Sequence, residues 1–96
     1  MINETITKEL QKKITILEKE LGVQIKLVPK ISSYSIIFSP NEKYPNEKVL
    51  IIYNPKEKTF DITFAFEKET TLMMSNPKEN LELANKVIEK IKEGIN

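Results

Sequence analysis

The sequence predicts an α+β domain, a two-layer sandwich. An antiparallel sheet of four or five strands carries N- and C-terminal helices on one face. Three observations predict it: apolar residues recur at helical spacing near both ends, they alternate with period two through the middle, and short Asn- and Pro-containing links join the alternating stretches. Short links favour an antiparallel meander, and two one-faced helices need one sheet face to cover. A helix on each face would need a second apolar sheet face, which the polar positions of residues 59–66 do not offer. The element order is α-β-β-β-β-(β)-α, and 96 residues make one domain.

The first helix is framed by Asn3, a capping residue, and Gly22, suited to the left-handed position that ends helices. Between them Ile6, Leu10, Ile14, Leu17 and Leu21 form one apolar stripe. Glu4–Lys8 and Glu9–Lys13 are favourable pairs four residues apart. A coiled coil would put Lys13 at a core position and run out after two and a half heptads, so the helix packs on its own sheet.

Strands follow. Val23 to Leu27 alternates and is stopped by Pro29; Tyr34, Ile36 and Phe38 share one face of the next strand. Val49 to Tyr53 is apolar on both faces, as a central strand is. Thr59 to Phe66 alternates most cleanly, with Phe60, Ile62, Phe64 and Phe66 on one side. A fifth strand is expected over Thr70 to Met74. Asn54 to Lys58 forms a hairpin connection in which Pro55 sets φ for a tight turn. Ser39 to Lys48 carries the tetrad Pro-Asn-Glu-Lys twice and reads as a mobile surface loop with Tyr44 at its tip. In the last helix Asn76 caps, Pro77 takes the first position, Glu79 reaches back, and Gly94 marks the end. Leu81, Ala84, Val87, Ile88, Ile91 and Ile95 form its buried stripe.

Composition then removes function classes. Cysteine, histidine and tryptophan are absent, all 15 basic residues are lysine, and Asp61 with thirteen glutamates leaves a net charge of +1. Such a chain offers no thiol nucleophile, disulfide, zinc finger or Ser-His-Asp triad. Two glycines, Gly22 and Gly94, cannot build a phosphate-cradling loop. No short loop gathers the carboxylates a hard cation needs, so neither metal nor cofactor is expected. Catalysis would require Asp61, on a polar strand face, to meet Lys26, Gln24 or a glutamate with a raised pKa across the sheet; the expectation is a non-enzyme. The start of the chain lacks a basic and apolar leader, and the longest apolar run, Val49 to Tyr53, cannot span a bilayer; the chain reads as cytoplasmic.

Binding of a macromolecule remains. With Ile36 and Phe38 inward, Ile37 faces out, and in the next strand either Ile51 and Tyr53 or Leu50 and Ile52 join it. The expected protein-interaction surface comprises Ile37, Ile51, Tyr53, Tyr44, Met73 and Met74, used for a larger partner or for self-association. Short lysine- and asparagine-rich domains of this kind are common among phage and mobile-element products, where inhibitors are frequent. The alternative is nucleic-acid binding through Lys8, Lys12, Lys13 and Lys19 of the first helix, although the absence of arginine removes the commonest bidentate reader of guanine. The layout resembles that of double-stranded RNA-binding domains. Their lysine cluster would fall at Asn76-Pro77-Lys78-Glu79-Asn80, which holds one lysine and one glutamate, so the resemblance stops at layout and no family is assigned.

Overall fold

The structure, a computed structural model, describes residues 4–66 and 76–93. Its elements are α1 (Glu4–Leu21), β1 (Ile25–Pro29), β2 (Tyr34–Phe38), β3 (Glu47–Asn54), β4 (Thr59–Phe66) and α2 (Pro77–Lys92). The sheet is an antiparallel meander in the order β1-β2-β3-β4, and both helices cover one of its faces. The Asn3 cap, the strand expected over Thr70 to Met74, Gly94 and Ile95 lie outside the described residues.

The apolar stripe of α1 does what its spacing requires: Leu10, Ile14 and Leu17 are buried. The helix ends where Gly22 turns to φ +67 and its N–H returns to the Glu18 carbonyl at 2.9 Å, a conformation that strains any residue with a Cβ. The Glu18 carboxylate then accepts from the Ile25 N–H at 2.9 Å, fixing the step from α1 into β1. Val23 and Gln24 belong to that connection, so β1 starts two residues later than the alternation suggests.

Register decides which side chains share a face. Ile25, Phe38, Val49 and Phe64 stand in one cross-strand row; Leu27, Ile36, Ile51 and Ile62 stand in the next; Pro29, Tyr34, Tyr53 and Phe60 form the third. This is the covered face. Tyr34, Ile36, Phe38, Val49, Ile51 and Tyr53 are buried in it beneath α1 and α2, and Phe60, Ile62 and Phe64 pack at its margin. At the far end of α1 the hydroxyls of Thr7 and Tyr34 share a hydrogen bond of 2.6 Å, so the tyrosine keeps a polar partner within the core.

The turn between β3 and β4 is closed by Asn54, whose Oδ1 accepts from the N–H groups of Lys56 and Glu57 at 3.1 Å each. Lys58 completes it at φ 58. The two Pro-Asn-Glu-Lys tetrads do not form a structural repeat. Asn41 of the first closes a turn onto the Lys43 N–H, whereas Glu47 and Lys48 of the second begin β3.

Helix α2 departs from the expected pattern at its start. Asn76 makes no side-chain cap; instead its carbonyl accepts the Asn80 N–H at 2.9 Å. The capping arrangement with Glu79 is therefore not formed, because Asn76 sits at φ −135, ψ 66, away from capping geometry. The buried stripe is Asn80, Ala84, Val87, Ile88 and Ile91, and Leu81 is 43% exposed. The helix is rotated so that Asn80, not Leu81, leads the inward face. Lys13 reaches from α1 to the other end of α2, donating to the Ile91 carbonyl at 2.9 Å and to that of Glu93. Its ammonium supplies the positive charge that a helix C-terminus favours.

Candidate interaction surface

The sheet face turned away from both helices carries the intervening residues of every strand. Lys26, Ile37, Leu50 and Thr63 form one row across it, and Val28, Ser35, Ile52 and Asp61 form the next. Val28, Ile37, Leu50 and Ile52 are partly exposed there, while Lys26, Asp61 and Thr63 at the margins are exposed. Ile37 and Leu50 are direct cross-strand partners, and Ile52 follows Leu50 on the same strand face. The centre is thus apolar and the rim polar. At one end Lys48 donates to the Ser39 hydroxyl at 2.8 Å, which holds its charge to the side.

Of the residues expected on this surface, Ile37 lies on it. Ile51 and Tyr53 do not: they are 0% and 3% exposed within the core, and Leu50 and Ile52 take the outward positions. The reason is the turn between β3 and β4. Asn54 pairs with Thr59, so residues 55–58 form the loop and Tyr53 falls opposite Phe60. A loop longer by one residue would oppose Tyr53 to Thr59 and turn it outward. Instead, Tyr53 stacks on Phe60 with ring centroids 4.6 Å apart, and on Tyr34 at 6.3 Å. Burial, with a smaller contribution from Tyr34, pushes the Tyr53 phenol above its ordinary 10.0.

Tyr44 is 42% exposed in the β2–β3 loop, between turns closed by its own N–H and carbonyl. Met73 and Met74 lie outside the described residues. Val28 is not among the residues expected on this surface; its signal is the period of two that continues from Lys26.

The lysines of α1 divide. Lys8, Lys12 and Lys19 are exposed and project opposite the buried stripe. Lys13 lies about 100° round the helix from Lys12. Its bonds to α2 remove it from the outward set. Nor does the sheet gather the acid–base group considered for Asp61. Lys26 is on β1 and Asp61 on β4, separated by two strands, about 14 Å at ordinary strand spacing. Among the described residues no three acidic side chains converge as a metal site requires, and no helix is long and apolar enough to cross a membrane.

Among the described residues, clefts flank the sandwich. One of ≈ 320 Å³ lies between the end of α1 and the start of α2, bordered by Leu21, Val23, Asn80 and Leu83. Another, ≈ 930 Å³, opens where Gly22–Lys26 meets Ile37–Ser39 and Pro45. Each has a rim of both charges, Glu79 and Lys86 in the first, Glu18 and Lys48 in the second, with no grouping that points to one ligand class. Comparison with protein-family models, with curated proteins and with solved structures gives no match.

Proposed function

We propose that this chain is a non-catalytic protein-binding module of the cytoplasm that contacts its partner through the open face of its sheet. The observation that supports the reading is the apolar centre formed by Ile37, Leu50 and Ile52, with Val28 beside it, on the face that neither helix covers. Contiguous apolar surface with a polar rim is the ordinary make-up of a recognition patch. An adaptor or an inhibitor would use it alike, by laying the sheet on a larger protein.

The test is retention of a protein partner by the tagged chain after nuclease treatment, compared with an Ile37→Lys/Leu50→Lys double variant. Both positions are partly exposed, so the variant keeps its circular dichroism spectrum and loses the partner. Undiminished retention by the folded double variant overturns the reading. Nucleic-acid binding through Lys8, Lys12 and Lys19 is the second reading, favoured by their shared outward stripe on α1. It requires an affinity that falls with salt by roughly one log unit per log unit of salt for each phosphate contacted.

A further inference from the structure

We infer that the occupant of the open sheet face is a second copy of this chain, related by a two-fold axis that lies in the interface and runs parallel to the strands. The inference rests on the sheet-face reading and names its partner. What carries it is the distribution of charge across the face. Lys26 stands on β1 at one edge, Asp61 stands on β4 at the other, and the apolar residues lie between them.

Two face-to-face arrangements with two-fold symmetry keep the strands aligned, as sheets prefer when they stack. With the axis across the strands, each β1 lies over the β1 of the other copy. The two Lys26 ammonium groups then share one edge and the two Asp61 carboxylates share the other, which is repulsive at both. With the axis along the strands, β1 of each copy lies over β4 of the other. Lys26 then faces the row of the second copy that ends in Thr63, one residue pair from Asp61, within reach of a lysine side chain across sheets about 10 Å apart. The same operation sets Ile37 over the second copy's Leu50, twice by symmetry, and Ile52 over its Ser35, the small residue of the face. Apolar groups meet at the centre; at each edge Lys26 of one copy lies over Thr63 and diagonal to Asp61 of the other, and Asp61 lies over Val28. Of the two, the second arrangement is the one that brings Lys26 and Asp61 of different copies to the same edge.

The size of the face sets the strength. Four strands about 4.8 Å apart, each contributing about five paired residues at about 3.3 Å, give a flat footprint near 19 by 17 Å. That is smaller than a standard interface, so the dimer is weak and concentration-dependent.

Sedimentation equilibrium of the full chain, from about 10 µM to about 1 mM, tests this in the range where such a dimer populates. The wild type self-associates, and Ile37→Glu abolishes association while keeping the fold. Lys26→Asp and Asp61→Lys each weaken it about tenfold, since two symmetric edge pairs become repulsive, and combining them restores it to within about twofold. Charge swaps at exposed positions leave folding intact, so the rescue remains readable even where the apolar variant unfolds. A wild type monomeric at about 1 mM, or a double swap that does not recover, overturns the second-copy inference. If a different protein then binds the face and is lost on Ile37→Lys/Leu50→Lys substitution, the sheet-face reading survives alone; if nothing binds there, both fall.

Discussion

Adjacent residues Ile51 and Ile52 face opposite sides of β3, and truncating each in turn measures the register that defines the open face. Ile51 is 0% exposed, with Ile36 and Ile62 on either side of it in the covered row. Ile51→Ala removes three carbons, about 2.4 kcal/mol of transfer free energy at ~0.8 kcal/mol each. The cavity left in a well-packed core raises the cost to about 3–4 kcal/mol. Ile52 stands between Ser35 and Asp61 and is partly exposed already, so Ile52→Ala costs about 1 kcal/mol. For a domain of this size each kcal/mol moves the melting temperature by about 4–8 °C. Thermal and urea unfolding followed by far-ultraviolet circular dichroism therefore show a fall of roughly 12–30 °C for the first variant and 4–8 °C for the second. Equal losses, or the larger loss at Ile52, would mean that β3 is shifted by one residue. The apolar centre assigned to the open face would then belong to the core.

Two further outcomes test the packing around the site. Lys13→Met keeps the aliphatic stem but removes the ammonium from the Ile91 and Glu93 carbonyls, lowering stability by about 1 kcal/mol in urea titrations; an unchanged midpoint would remove Lys13 from the cap. Because burial raises the Tyr53 phenol above 10.0, the folded chain holds that proton longer than the unfolded chain. Its contribution is full below pH 10.0 and declines as pH rises through the higher folded value, by up to about 1.4 kcal/mol per pH unit. Tyr53→Phe flattens the alkaline fall in the urea midpoint; an equally steep fall in the variant assigns the loss to another group.

The fold was legible because its strongest signals are local. The four-and-three spacing of Ile6 to Leu21, the glycine after it and the alternation of Thr59 to Phe66 each follow from backbone geometry alone. The face of β3 was not legible in that way. Val49 to Tyr53 is apolar at every position, so its orientation depends on whether the loop before Thr59 holds four residues or five. That choice is made by the Asn54 side chain and by Lys58 adopting φ 58, a conformation lysine seldom takes. The rotation of α2 was hidden for a related reason. Apolar spacing admits Leu81 to the inward face, but the helix buries Asn80 instead, and no hydropathy pattern marks an asparagine for the interior. Lys13 reads as one more solvated lysine until α2 is placed beside it.

The meander with helices on either side of it in sequence also sets the order in which the core can close. Among the described residues each strand pairs only with its neighbour in sequence, so the sheet can grow one hairpin at a time. Its covered face closes last, since α2 follows β4 and contributes Ala84, Val87, Ile88 and Ile91 to the core. Closure of the core thus waits for the last of the described elements, and the Lys13 contact with Ile91 joins the earliest helix to the latest.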